Sequence, residues 1–360
     1  MLPHRAPARL RPSPAYPQSG AGSHVKLVIL VAAIVGAIAL FSSFGGKGKG
    51  LPDANPQRQS NGGTVMLSDV LAVGLGLSEQ AAAVIKQVKR QHQENMNVKG
   101  KTAEGVDEPV TDADKQSNAI FVNGYRNHFP GIRMLSEETD PADDNNIRSA
   151  FTLSPPLPPG ADVPLDLMDT EVLIDPLDAT KEFTEDLLEY VTTMVCVVHK
   201  GRPVAGIINQ VFEDSPAVVG IVGSEDGTTG VLRGRDQRKT ATGDAETTVA
   251  ISRSHTGAGE DVVTKRFPGH RPLLAGGAGY KALLVLDGTA NAYVHVTKIK
   301  AWDVCAADAV LHAIGGGFTD VDGKRLKYLA EDPVFKRGVV ATQSKVSQAW
   351  YLEHLGGNMT

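Results

Sequence analysis

The sequence predicts an α/β layered sandwich with a transmembrane helix at its N-terminus. The sandwich is a mainly antiparallel sheet between helices, followed by a smaller α/β half. Three observations predict it. Two apolar, β-rich runs, 191–198 and 204–212, are joined by His199-Lys-Gly-Arg-Pro203, which reads as a hairpin within a sheet. Helix-spaced apolar residues precede that hairpin at 68–93 and 111–129. After about residue 235, short strands alternate with helical stretches.

The N-terminal segment is justified by charge and length. Residues 27–40 carry no charge, and Phe41 to Phe44 extend the run to a marginal span at about 1.5 Å per residue. Arg5, Arg9, Arg11 and Lys26 precede it without an acidic residue, and Lys47 and Lys49 follow. That bias favours a cytosolic N-terminus. The expected plan is a cytosolic tail (1–26), a signal anchor (27–44), a flexible stem (45–63), an α+β half (64–235) and an α/β half (236–360). A cleaved signal peptide is the alternative reading of the apolar run. The one N-x-S/T sequon, at Asn358, sits at the extreme C-terminus and says little about glycosylation.

Within the first half, Val70, Leu71, Val84, Ile85 and Val88 set the face of the opening helix. A second helix closes at Pro130-Gly131, and residues 132–135 form a short strand. The acidic, Pro-rich stretch 140–164 reads as a surface excursion. A strand at 171–174 ends on Asp175, and strands at 218–222 and 229–232 continue the sheet. The second half carries strands at 248–251, 273–275 and 293–296. Its helices fall at 259–267, 279–286 and 302–314.

Composition excludes several function classes. The net charge of −5 does not favour an electrostatic grip on a nucleic-acid polymer, and 5% aromatic content argues against a stacking platform for single strands. Two cysteines exclude a disulfide scaffold and a Cys-rich zinc fold. Cys196, in an apolar strand, and Cys305, in an Ala-rich helix, read as buried packing residues, with a pairing in a lumen left open.

The chemistry is carried by carboxylates around strand ends. In Asp175-Pro-Leu-Asp178-Ala-Thr180 an apolar strand delivers Asp175 to its end, and Asp178 follows three residues later. Two hard oxygen ligands with the Leu177 carbonyl suit Mg²⁺; the same residues also suit a Pro turn with an Asp N-cap. Ser136-Glu137-Glu138 follows a second strand and is either another ligand source or a solvated turn. Asp303 opens the helix of Ala301-Trp-Asp-Val-Cys-Ala-Ala-Asp308 as ligand or cap. Thr111-Asp112-Ala-Asp114 opens an earlier helix with the same two readings.

With these signatures in order, the chain resembles the lithium-sensitive, magnesium-dependent phosphatases of the inositol monophosphatase superfamily over roughly 67–340. Four stretches resemble its branch acting on adenosine 3′,5′-bisphosphate: 191–196, Ser252-Arg-Ser-His255, Gly276-Gly-Ala-Gly-Tyr-Lys281 and Val294-His-Val-Thr-Lys-Ile-Lys300. The resemblance implies that Glu137, Asp175, Asp178, Asp303 and the Leu177 carbonyl bind two or more Mg²⁺ ions, with Li⁺ as inhibitor. It implies that Thr180 orients and deprotonates water with an acidic partner just ahead of Thr111, either Asp107 or Glu108. Ser252, His255, Gly277 and Lys281 would hold a small nucleotide, with Lys281 near a phosphate. The metal site would then lie in the 64–235 half and the nucleotide contacts in the 236–360 half. The expected reaction is hydrolysis of the 3′-phosphate to AMP and phosphate. The expected setting is the Golgi lumen, behind a single-pass type II anchor in the membrane. An inositol or sugar phosphate phosphatase, and a catalytically dead lumenal binding protein, are the alternatives. A homodimer is a family expectation with no interface legible here.

Overall fold

Apolar alternation builds this molecule around a sheet buried on both faces. A computed structural model describes residues 63–91, 95–101, 107–138, 157, 161–223, 231–234, 247–254 and 256–356. The anchor, residues 45–62 of the stem, the 140–164 excursion apart from 157 and 161–164, His255 and Asn358 lie outside the described residues. In chain order the elements are β1 (Thr64–Met66), α1 (Leu67–Gln91), β2 (Asn97–Lys101), β3 (Asp107–Val110), α2 (Asp112–His128), β4 (Arg133–Ser136), β5 (Pro164–Asp166), β6 (Thr170–Asp178), α3 (Thr180–Thr184), β7 (Thr192–His199), β8 (Arg202–Gln210), β9 (Val218–Ile221) and β10 (Val231–Arg233). Then come β11 (Thr247–Ser252), α4 (Thr256–Arg266), β12 (His270–Ala275), α5 (Ala278–Leu286), β13 (Ala292–His295), β14 (Ile299–Lys300), α6 (Ala301–Ala313), β15 (Gly317–Asp320), β16 (Val334–Phe335), β17 (Val339–Thr342) and α7 (Lys345–Leu355).

The six-stranded sheet runs β10-β9-β8-β7-β6-β4 and is antiparallel except for the β4–β6 pair, as the sequence predicts. Strand period two divides β7 between two cores. Val195 and Val197 face the core formed with α1 and α2; Met194, Cys196 and Val198 face the core formed with α5 and α6. Helix α1 has the length and apolarity of a membrane span, but Val70, Leu71, Leu77 and Ile85 are buried against the domain, which makes it a core helix. Helix α6 lies close on the sheet because Gly206 leaves room: a Cβ there would meet the Ala306 carbonyl oxygen at 2.6 Å.

The two cysteines are buried, as expected, but they are not bare packing residues: Cys196 of β7 and Cys305 of α6 form a disulfide. Antiparallel strands place Cys196 across from Leu173 of β6. The bond therefore ties α6 to the sheet two residues past Asp303. A second sheet, ordered β12-β11-β13-β17-β15, carries the later α/β layers and packs Val263, Phe267 and Tyr351 beneath it. The paired hairpin β2–β3 has no apolar stripe, and the sequence does not announce it.

Candidate active site

A regular strand points residues three apart to opposite faces. Asp175 and Asp178 nevertheless serve one cleft, because the β6–β7 register shifts between them. That irregularity, at Pro176-Leu177, re-aims the strand end as a bulge does. Ala179 then takes a left-handed conformation (φ 71°), and Thr180 starts α3. A non-glycine residue in that region costs roughly 1–2 kcal/mol, a strain held here at the floor of the site.

The cleft has a volume of about 590 Å³. Glu137 arrives from the end of β4, Asp175 from β6 and Asp303 from the first turn of α6. Their carboxylate oxygens lie within 4.8 Å of one another. Asp175 is 1% exposed. Burial, then the charges of Glu137, Asp178 and Asp303, push its carboxyl well up from the ordinary range. Asp303 is pushed up to about 8 by burial, Glu137 and Asp178, against the Lys300 N–H that caps it at 3.0 Å. Three hard oxygen donors that repel one another in a desolvated pocket fit a small divalent cation. Lys99, from the unannounced hairpin, sets an ammonium 2.8 Å from Glu137 and 2.5 Å from Glu138. Burial pulls that lysine down, but the two carboxylates together leave it raised.

Asp178 is held separately. The α5 N-terminus donates to it from Ala278 N (3.1 Å) and Gly279 N (2.8 Å), and the Thr192 hydroxyl adds a bond at 3.1 Å. Gly277 makes this approach possible: its φ is +60°, and a Cβ there would stand 2.8 Å from Asp178 Oδ2. Burial raises the Asp178 carboxyl, opposed by Lys281 and these N–H groups. Lys281 is buried, and its Nζ donates to Gly277 O at 2.5 Å and to Ala275 O at 3.4 Å. It braces the glycine turn from below while lining the cleft. Burial lowers its pKa, against the pull of Asp178, Glu182 and Asp303.

Thr180 has an acidic partner beyond the two residues expected. Thr180 Oγ1 donates to Asp114 Oδ1 at 2.8 Å and lies 3.2 Å from Leu177 O. Glu108 pairs instead with Lys300 Nζ at 3.3 Å, and the Asp107 side chain lies outside the described residues. Geometry explains the difference. Asp114 sits one turn into α2, where Thr111 caps the helix and donates to Asp114 Oδ2 from both its backbone N (2.7 Å) and its hydroxyl (2.6 Å). Burial raises the Asp114 carboxyl to about 6, although the Thr111 and Thr180 bonds oppose that rise. The structure thus brings together Glu137, Asp175, Leu177, Asp178, Thr180, Ser252, Gly277, Lys281 and Asp303 around one cleft. Sequence reasoning missed Lys99, and it left Asp114 between a ligand and a helix cap. The signal for Asp114 was its place three residues after Thr111, which it shares with an ordinary helix cap.

A sheet layered with helices, carrying a desolvated carboxylate cradle and a threonine–aspartate pair, defines a class of metal-dependent hydrolases. The chain belongs to the inositol monophosphatase family of phosphatases, whose members are Mg²⁺-dependent phosphomonoesterases: the family model matches residues 66–359. It is 36% identical over 293 residues to inositol monophosphatase 3 of Xenopus tropicalis, covering 78% of each chain. It is 34% identical over 311 residues to the Golgi-resident adenosine 3′,5′-bisphosphate 3′-phosphatase of Homo sapiens, covering 84% of each. Its fold is similar to that of an IMPase/NADP phosphatase solved with Mg²⁺ and phosphate, at TM-score 0.59 and 18% identity, over 82% of this chain and 98% of that one.

Proposed function

We propose that this phosphatase removes the 3′-phosphate of adenosine 3′,5′-bisphosphate, giving AMP and phosphate, in the Golgi lumen behind an N-terminal anchor. The observation that carries the catalytic part is the meeting of the Glu137–Asp175–Asp303 cradle with the Thr180–Asp114 pair in one cleft. The names of the human and mouse relatives support the nucleotide and the Golgi. The buried disulfide supports an oxidising compartment.

Glu137, Asp175, Asp303, Asp178 and the Leu177 carbonyl would hold Mg²⁺, which supplies positive charge to offset that of the phosphate and the leaving oxygen. The Thr180 hydroxyl already donates to Asp114, so its oxygen is left to accept a proton from the attacking water. That proton passes through Thr180 toward Asp114, whose raised carboxyl is poised near neutrality. The water oxygen bonds to phosphorus, the bond to the ribose 3′-oxygen breaks, and the freed alkoxide takes up a proton. Lithium would inhibit by taking a cation position. Removing this nucleotide, a by-product of sulfotransferases, would sustain sulfation and glycosaminoglycan synthesis. An inositol phosphate substrate is the second reading, favoured by the name of the Xenopus relative. Phosphate release from adenosine 3′,5′-bisphosphate and inositol 1-phosphate, with Mg²⁺ and then with Li⁺, tests the choice. No release from the nucleotide would end the first reading.

A further inference from the structure

One buried carboxylate of the cleft belongs neither to the cradle nor to the threonine–aspartate pair. Glu182 lies two residues after Thr180 on α3, lines the cleft, and has a side chain only 4% exposed. A carboxylate so desolvated is costly unless it is paired. Its partners come from some seventy residues away. Glu182 Oε1 accepts from Arg253 Nη1 at 3.1 Å and from the Ser254 hydroxyl at 3.0 Å. Arg253 Nη1 also donates to Glu185 Oε2 at 2.6 Å, so one guanidinium holds two carboxylates of the α3 segment.

These partners form the turn that leaves β11. The Arg253 backbone N–H donates to Ala275 O at 3.1 Å, at the end of β12. Gly276 gives the carboxylate room to pass, since a Cβ there would stand 2.6 Å from Glu182 Cγ. Glu182 therefore meets three segments: the helix of Thr180, the β11 turn, and the glycine turn leading to the N–H donors of Asp178. Helix α3 is seated without it. Phe183 is fully buried with Ile85 and Val88 of α1, and Lys89 Nζ donates to Phe183 O at 2.7 Å. Thr180 is held separately by Asp114. The β11 turn, by contrast, has both the Arg253 and Ser254 side chains moored on α3, while Ser252 and Ser254 line the cleft. Because the Ser254 hydroxyl gives its hydrogen to Glu182, its oxygen is left to accept a second one.

We propose that Glu182 is a positioning residue: it moors the Arg253–Ser254 turn to the Thr180 helix and so sets the wall against which the unreacting part of the substrate rests. That wall takes a hydrogen-bond donor, a hydroxyl or amino group of the substrate, at Ser254. The inference rests on the phosphatase reading of the cleft and deepens it; it holds for a nucleoside and for an inositol alike.

The test uses the full chain with Mg²⁺ and whichever ester wild type turns over, adenosine 3′,5′-bisphosphate or inositol 1-phosphate. Inorganic phosphate is the control inhibitor, since it can occupy the cradle and offers nothing to the wall. Glu182→Gln should raise KM for the ester about tenfold with a much smaller change in kcat, while inhibition by phosphate moves little. Arg253→Met should do the same, and the double variant should be no worse than the worse single one, because both changes break one mooring. The inference is overturned if KM is unchanged in correctly folded Glu182→Gln, if phosphate inhibition weakens in parallel with KM, or if the two substitutions are fully additive. Turnover of the inositol ester alone would sink the adenosine reading and leave these comparisons to decide the role of Glu182. Wild type that releases phosphate from neither ester ends the phosphatase reading and this inference with it.

Discussion

Opening the Cys196–Cys305 bond should cost this protein a large part of its stability and loosen its cation site. The two cysteines are 109 residues apart in sequence. Chain entropy alone assigns a closed loop of that size about 4.7 kcal/mol. Set against the roughly 5–15 kcal/mol that holds an ordinary domain folded, this is a third or more. Residual structure in the unfolded chain would reduce the figure. The perturbation is the double variant Cys196→Ala/Cys305→Ala, since both cysteines are 0–1% exposed, which shields the bond from reductant in the folded state. The assay is urea unfolding of wild type and variant, with Mg²⁺ affinity measured by calorimetry. We expect a lower midpoint and weaker Mg²⁺ binding, because Asp303 lies two residues before the tethered position on α6. Two free thiols in the mass spectrum of unreduced protein, or equal midpoints, would refute the reasoning.

Two more predictions concern the carboxylates. Asp114→Asn should lower kcat by roughly a hundredfold or more while leaving Mg²⁺ affinity nearly intact, and in wild type activity should fall away below about pH 6, the value to which burial raises Asp114; stopped-time phosphate assays from pH 5 to 8 check both. Asp303 is held at about 8 against an ordinary 3.8, first by burial, so without cation its contribution to stability is complete below about pH 4 and is lost as pH rises through 8. Metal-free thermal midpoints should therefore decline from pH 6 to 8. Added Mg²⁺ should stabilise more at pH 8 and release protons on binding, and a flat profile would contradict the buried cluster.

Most elements were legible because burial leaves a period in the sequence. β7 and β8 are buried along nearly their whole length, and α1 repeats its apolar residues at helical spacing. The β2–β3 hairpin was not legible, since Asn97-Val-Lys-Gly-Lys101 is exposed at almost every position. Its hold on the site comes from cross-strand pairing and from ion pairs to Glu137, Glu138 and Lys300, which no local pattern encodes. The disulfide was equally hidden, because pairing depends on two distant elements meeting.

Asp114 shows why the site was read only in part. At the sequence level its position reads either as a ligand or as the third residue of a capped helix, and the cap is present. What sequence cannot show is that the cap uses only half of the carboxylate. Thr111 donates twice to Oδ2, leaving Oδ1 for the Thr180 hydroxyl, which arrives from 66 residues away. The two roles do not compete, since they occupy different oxygens. The cap also fixes the carboxylate plane, so Oδ1 is aimed at Thr180 before any substrate enters. The helix start therefore supplies, in one side chain, both its own cap and a hydrogen-bond acceptor aimed at Thr180.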